Sequence, residues 1–524
     1  MTLFSKAVLA LGLAASTASA GPNSVPTTNL PTATGMFEPT WKSLSSGYRV
    51  PEWFRDAKLG IWSHWGPQAV PGEGDWYARH MYDPKHANYR FHTNTYGHPS
   101  RFGYKDILPL FKAEKFDADA QMKLFKRAGA KYFFALANHH DNYDCFDSAY
   151  QPWNSVNIGP KKDLVGLWAK AAEHEGLRLG ISIHNARSWY WWEPAHKSDP
   201  SGALKGIPYD GQLTLADGKG KWWDGYDPRQ LYCEPYKAGD KESPAYIQQW
   251  VNRTKDLINK YDPDLLYFDD QHNRFERFGK AGMEILPHFY NANMQRNGGK
   301  LEAVAQVKSL VPNVANQPYL LDCERYIQTN IYSAPWQNDT AIGDWFPRRG
   351  ETFKTPEDII HLLVDVVSKN GNLLLAVPQQ GDGSLKPEAV KILEELGDWF
   401  AVNGEGIYGT RPWEKFGEGP AQWSGSESEK RGGKRELFTS QDFRFTTKGD
   451  TLYAFAFVWP KDGQLTIKSL AAGSADYPGA IGEVQLLGHK SKVQWQRTAD
   501  GLKIQLTGGQ PSPSAFAFKI LPGK

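Results

Sequence analysis

The chain has 524 residues, with 60 Lys and Arg against 58 Asp and Glu, and its net charge of +2 offers no field for nucleic acid or another polyanion. Hydrophobic residues at 40% and aromatic residues at 13% suffice for a large packed core, so a disordered chain is excluded, and three Cys cannot build a disulfide scaffold. At about 100–200 residues per domain, the length fits two to four domains, or one large α/β barrel with a smaller partner.

Lys6, the apolar run from Ala7 to Ala15 and the small residues Ala18-Ser19-Ala20 read as an export signal over 1–20, giving a secreted or periplasmic product. That run is about half of what a spanning helix needs, and no later segment approaches the length, so no membrane partner is expected. Residues 21–36, rich in Pro, Thr and Asn, read as a disordered leader. Leu59-Gly60-Ile61-Trp62 reads as a strand, and a helical stretch over 118–128 leads to a second strand from Lys131 to Ala137. Asp163 can cap a helix over 164–175, closed by Gly176 and followed by a strand from Leu177 to Ile183. Ser243-Pro244 opens a helix with Tyr246, Trp250, Val251, Leu257 and Ile258 on one face. The turn Asp262-Pro263-Asp264 then delivers the strand from Leu265 to Phe268. Thr355-Pro356 opens a helix to Ser368, and Asn370-Gly371 turns it into the apolar run from Leu373 to Val377.

Alternating strands and helices, with strands apolar along their length, indicate a parallel sheet covered on both faces. The expected fold class is α/β, a (β/α)8-like, TIM-type barrel over 37–403. A doubly wound open sheet is the alternative, but no Gly-rich phosphate loop follows any strand. Beyond residue 404, short strand-like runs split by Gly, Asp and Ser turns predict a C-terminal antiparallel β-sandwich over 404–524.

In such a barrel the C-terminal strand ends face the active site. Ser63-His64-Trp65, Asn138-His139-His140-Asp141, His184-Asn185 and Asp269-Asp270-Gln271-His272 stand at four consecutive ends. A lone His is more often structural than catalytic, but four placements on one face argue for a site. One chemistry is a metal hydrolase, with His64, His139 or His140, His184 and Asp269 as ligands, although no His-x-His or His-Glu-x-x-His pair appears. The other is glycoside hydrolysis, in which carboxylates break the bond while imidazoles and indoles bind hydroxyls and sugar faces. Trp62, Trp65, Trp76, Trp189, Trp191 and Trp192 near the strand ends favour the second. A carbohydrate-binding protein on a catalytically inactive barrel is a third possibility.

The blocks WFRDAKLGIWSHWG (53–66), DWYARHMY (75–82), AKYFFALANHHDNY (130–143), PKKDLVGLWAKAAEHEGLRLGI (160–181), YDPDLLYFDD (261–270), SKNGNLLLAVP (368–378) and GEGIYGTRPW (404–413) resemble the α-L-fucosidases of glycoside hydrolase family 29. The resemblance implies a barrel and sandwich, and a retaining exo-enzyme that takes terminal α-L-fucose from oligosaccharides or glycans without a metal or other cofactor. It implies Asp269 as nucleophile, with Asp270 as competitor, and His64, His139, His140, Asp75 and Trp76 as sugar-binding groups. For the acid/base it implies Glu324, in Asp-Cys-Glu-Arg, with Glu276, Asp339 and Asp344 as rivals, and it adds Trp336 to the substrate contacts. His184 stands where many members carry an aromatic pair, and is expected to bind a hydroxyl instead. The insertion over 187–236 either walls in a leaving-group sugar or is a packed loop. One disulfide among Cys145, Cys233 and Cys323 is possible, and the sequons at Asn252 and Asn338 leave glycosylation open.

Overall fold

A computed structural model describes residues 25–237, 239–271, 278–308, 317–421, 423 and 437–523. The expected signal over 1–20, His272 and the rival acid Glu276 lie outside the described residues, as does the side chain of Asp270.

Eight parallel strands close into a barrel in sequence order. They are β1 (Leu59–Ser63), β2 (Tyr132–Asn138), β3 (Arg178–Ile183), β4 (Leu265–Gln271), β5 (Val304–Lys308), β6 (Leu320–Asp322), β7 (Trp336–Ala341) and β8 (Gly371–Ala376). β8 returns to pair with β1, Leu59 against Leu373. Local chemistry sets the flanking helices. Asp163 accepts the Gly166 N–H at 2.9 Å to start Leu164–Glu175, and Gly176, at φ 69°, ends it in the left-handed region that glycine adopts freely. Thr355 and Asp358 form a reciprocal capping box on Pro356–Ser368.

The barrel bore is filled, not hollow. Trp62, Tyr132, Phe134, Leu265, Tyr267 and Leu374 pack there as a cluster separate from the layer between strands and helices. Gly60 is required by that packing, because a Cβ would stand 2.0 Å from the Tyr132 ring. A polar layer crosses the bore. Gln337 Nε2 donates to Gln306 Oε1 (3.0 Å) and Asp322 Oδ2 (2.6 Å), and Tyr132 donates to Gln337 Oε1 (2.8 Å). Buried polar groups stay only when partnered, and this layer is partnered internally.

Residues 25–36, expected within a disordered leader, instead lie along the helices Pro244–Tyr261 and Ile285–Arg296. Asn252 accepts the Leu30 N–H (3.1 Å), the fully buried Lys255 ammonium donates to the Leu30 carbonyl (3.0 Å), and Asn291 donates to the carbonyls of Ala33 and Phe37. Composition missed this because backbone groups of a Pro- and Thr-rich segment need only polar partners, which the helices supply. Both sequon asparagines are sealed: Asn252 is 3% exposed and Asn338 fully buried. All three cysteines are free and buried, so the possible disulfide is absent.

After the barrel come a five-stranded antiparallel sheet, β9 (Arg411–Glu418), β10 (Phe443–Lys448), β11 (Thr451–Ala456), β13 (Ile481–Leu486) and β16 (Phe516–Pro522), and a three-stranded one, β12 (Gln464–Ile467), β14 (Gln494–Thr498) and β15 (Gly501–Gln505). They share a core of Phe443, Phe445, Leu465, Ile504, Phe516 and Phe518, as expected for a sandwich. A buried charge triad joins the two units: Asp365 on the barrel's outer helix takes Arg444 of β10 at 2.5 Å and Lys369 at 2.7 Å. No helix among the described residues is long and apolar enough to cross a membrane.

Candidate active site

Asp269 follows Leu265 and Tyr267 at the two-residue spacing that points into the bore, so β4 aims its carboxylate at the barrel mouth. Pairing with β5 runs Phe268 to Val307 and then jumps, Gln271 to Lys308, leaving residues 269 and 270 bulged at the strand end. Bulges of this kind re-aim side chains beside active sites. β2 carries a register shift too, between Leu136 and Asn138, just before the His pair. His139 and His140 would point to opposite faces in an extended strand. Here a turn, with the Asn142 N–H on the His139 carbonyl at 3.1 Å, turns both rings to one side, 4.5 Å apart.

The imidazoles of His64, His139, His140 and His184 are all buried and within ring contact. His64 stands 5.2 Å from both His139 and His184, and His184 stands 5.6 Å from His140. Asn138 anchors the third strand end by accepting the N–H groups of His184 (3.1 Å) and Asn185 (3.2 Å) on its Oδ1. Trp76, in left-handed backbone at φ 61°, lays its ring edge to face with His140 (5.8 Å) and Trp191 (5.9 Å). Asp75 Oδ1 accepts the Trp76 N–H at 2.9 Å and lies 3.6 Å from His139 Nε2.

Asp269 Oδ2 lies 2.9 Å from His184 Nδ1 and 3.4 Å from His140 Nε2, while Oδ1 meets the Lys308 ammonium. The same ammonium lies 3.1 Å from Glu324 Oε2 and 3.9 Å from Asp339 Oδ2. The facing oxygens of Asp269 and Glu324 are thus no farther apart than two ion-pair contacts laid end to end. That is the order of the roughly 5–5.5 Å separation used by retaining glycosidases.

Burial opposes the Asp269 charge, but Lys308 and the imidazoles of His184 and His140 outweigh it and hold the carboxyl well below its ordinary range. Burial pushes His64, His139 and His140 well below the usual imidazole range, so these rings are neutral at neutral pH. Asp75 keeps 22% of its side-chain surface open, yet burial of the rest, with Asp344 nearby, pushes it up to about 8.

The rival acids have other duties. Asp339 is fully buried in the bore, accepts from Tyr267 at 3.1 Å and forms a pair with Asp322, whose carboxyl burial and Asp339 push well above the usual range. Asp344 accepts from Arg348 Nε (2.8 Å) and its neighbour's N–H. Trp336 must be corrected: it occupies an outward position of β7, fully buried, with Nε1 donating to the Lys369 carbonyl at 2.9 Å. An indole on the outer face of a barrel wall braces helices and does not meet a ligand in the mouth.

Several site residues were not expected from the sequence. Gln68 hydrogen-bonds His139 Nδ1 at 2.8 Å, Trp345 packs on Trp62 (5.7 Å) and His64 (5.6 Å), and Phe346 sets its ring against His64 (4.9 Å) and His139 (5.3 Å). Lys308 ends the short β5, which has no apolar run to announce it. In the insertion, Trp189, Trp191, Trp192 and Trp223 are at most 7% exposed and only Trp222, at 46%, faces solvent, so it is chiefly a packed loop. Trp191 alone among these reaches the imidazole cluster, 5.9 Å from His140. Nitrogens of His64, His139 and His184 lie within 4.8 Å of one another, as do donor atoms of His140, His184 and Asp269, so either trio has the geometry to hold a metal ion.

A family model described as "Alpha-L-fucosidase" matches residues 25–405, and one described as "Alpha-L-fucosidase C-terminal domain" matches 437–521. Tissue alpha-L-fucosidase of Rattus norvegicus is 27% identical over 498 residues, covering 92% of either chain. Plasma alpha-L-fucosidase of Homo sapiens is 27% identical over 488 residues, covering 90% of this chain and 88% of its own. Among solved structures, Thermotoga maritima alpha-fucosidase aligns with a TM-score of 0.68 at 25% identity, over 93% of this chain and all of that one.

Proposed function

The chain belongs to the α-L-fucosidase family, and we propose that its retaining hydrolysis runs on Asp269 as nucleophile and Glu324 as acid/base. The enzyme removes terminal α-L-fucose through a covalent fucosyl intermediate, and its substrates are fucose-containing oligosaccharides. The observation that carries the assignment is the one ammonium, Lys308, shared by a buried, ionised Asp269 and a half-exposed Glu324. The acid/base also has to be reachable by leaving group and water, and the Glu324 side chain keeps 31% exposure where Asp339 has none.

In this reading fucose enters the imidazole pocket and its anomeric carbon takes the space between the two carboxyls. Lys308 marks that space: a cation there is matched by the same carboxylates that favour the positive charge developing on the sugar. As the ring displaces the ammonium towards Asp339, Glu324 loses its counter-ion, which favours the protonated carboxyl that the leaving oxygen needs. Asp269 attacks, the leaving group takes the Glu324 proton, and Glu324 then activates water for the second step. His184 and His140 fix the attacking carboxylate, while Trp76, His64 and His139 supply ring face and hydroxyl contacts.

Asp269→Gly and Glu324→Ala should each lower kcat by roughly 10³-fold or more, and azide should restore the first as an inverted fucosyl azide. A slow fluorinated fucoside should leave its label on the peptide carrying Asp269. Recovery on another peptide from an active enzyme ends the assignment. Export rests on the first twenty residues, and we propose a secreted or periplasmic enzyme. N-terminal sequencing of protein from the medium or periplasm should begin at Gly21.

A further inference from the structure

We propose that Gln68 is a positioning residue for the reaction: it holds His139 as the tautomer with its proton on Nε2, so that this ring donates to a fucose hydroxyl which in turn donates to Asp75; this rests on reading His139 and Asp75 as sugar-binding groups. Gln68 is itself fully buried and acts through the ring. It stands in the short helical turn Pro67–Ala69 beyond the end of β1, and its amide reaches both the helix Tyr77–His80 and the end of β2. The N–H of Ala78 is one of the first-turn donors that a helix leaves unpaired, and Ala78 is fully buried. An N-cap side chain usually accepts such a donor, but Trp76 is the N-cap here and an indole offers no acceptor. Gln68 Oε1 takes the Ala78 N–H instead, at 3.3 Å. With its oxygen so committed, the amide turns its NH2 end to His139 Nδ1, at 2.8 Å.

An amide nitrogen can only donate, so His139 Nδ1 must accept. A nitrogen that accepts carries no proton; the ring is therefore neutral, with its one N–H on Nε2. Burial, with His140, His184 and His64 around the ring, opposes the imidazolium as well. The neighbouring ring is held the other way. His140 Nδ1 lies 2.7 Å from the His184 carbonyl, which can only accept, so that nitrogen keeps its proton. His139 is also kept from turning over, because a half-turn about Cβ–Cγ would set carbon against the Gln68 amide. Edge contacts with His64 (5.2 Å) and Phe346 (5.3 Å) hold its plane.

On the far side of the ring, Nε2 lies 3.6 Å from Asp75 Oδ1, beyond hydrogen-bond reach. That oxygen is already an acceptor, holding the Trp76 N–H at 2.9 Å. A hydroxyl seated beside both takes a hydrogen bond from His139 and gives its own to Asp75, so its direction is dictated. With the ring proton on Nδ1 instead, Nε2 and Oδ1 would both present lone pairs, and a hydroxyl with a single proton would satisfy only one of them. The orphan donor of one helix thus sets, through one amide, which hydroxyl geometry the pocket accepts.

The test uses full-length deuterated enzyme carrying histidine labelled with nitrogen-15, with His139→Gln to identify the ring's resonances. In the wild type His139 Nδ1 should resonate as a bare nitrogen and Nε2 as a protonated one, while His140 Nδ1 resonates as protonated. In Gln68→Met both His139 nitrogens should move towards the mixed position of an unheld ring. Kinetics then compare a chromogenic α-L-fucoside with three monodeoxy versions, each lacking one ring hydroxyl. Gln68→Met should lower kcat/KM for the parent about 3- to 10-fold, the worth of one net hydrogen bond, and leave one deoxy substrate at its wild-type value. A merely structural role would slow all four substrates alike. If Gln68→Met gives no cooperative melt, Gln68→Leu and the wild-type resonances, which need no variant, decide. A protonated Nδ1 on His139 in the wild type, unmoved resonances in the folded variant, or equal losses on all four substrates overturns the proposal. Should His139→Phe cleave the parent normally, the sugar-binding reading of His139 falls and the hydroxyl contact with it, whereas the tautomer is read without substrate.

Discussion

Lys308 is the residue on which the electrostatics of the pocket turns. The Asp269 nucleophile works ionised, so activity is present above its folded pKa and is lost as pH falls through it. Since Lys308 and two imidazoles outweigh burial and depress that pKa, the acid limb of kcat/KM in the wild type should extend below the ordinary carboxylate range. Lys308→Met leaves burial with less opposition, and the acid limb should move to higher pH. An unshifted limb in a folded variant would show that the lysine does not set the charge state of the nucleophile. His64, His139, His140 and His184 were legible in the sequence because each sits at the end of a strand whose apolar pattern is plain. Lys308, Gln68 and Phe346 were not, because their roles exist only where separate loops converge.

At the level of elements, the strands β1 to β4 and β8 could be read from their residues, and β5, β6 and β7 could not. The reason is the polar layer in the bore. In β7 the inward positions are Gln337 and Asp339, and in β5 an inward position is Gln306, so the apolar pattern that marks a buried strand is broken where its partners are polar. With β7 unrecognised its alternation could not be used, and Trp336 was placed with the substrate when it belongs to the wall. Trp336→Ala should therefore lower stability by about 3–5 kcal/mol, as large-to-small changes in cores do, and leave KM for a fucoside unchanged. Thermal melts and Michaelis kinetics on one preparation separate these effects; a raised KM at unchanged stability would return the indole to the sugar site.

Across the whole molecule, barrel and sandwich meet through charge as well as apolar packing. Asp365 satisfies two cations, Arg444 from the sandwich and Lys369 from the barrel, and all three are buried. Removing the shared anion strands both, and breaking a buried pair typically costs about 3–5 kcal/mol. Asp365→Ala should lower the melting temperature and separate the transitions of the two units in calorimetry, whereas a single unshifted transition would show that the apolar contacts suffice. The change from helical to strand patterning near residue 404 announced two units, but nothing in the composition announced a buried charge triad between them.

The stretch fastened along two outer helices has a practical consequence. Val25, Pro26 and Thr27 line a cavity of about 430 Å3 together with Trp189, Tyr246 and Cys233. A purification tag or fusion partner joined just ahead of Val25 would therefore stand against that cavity and the helix Pro244–Tyr261, and would compete with the packing of the stretch.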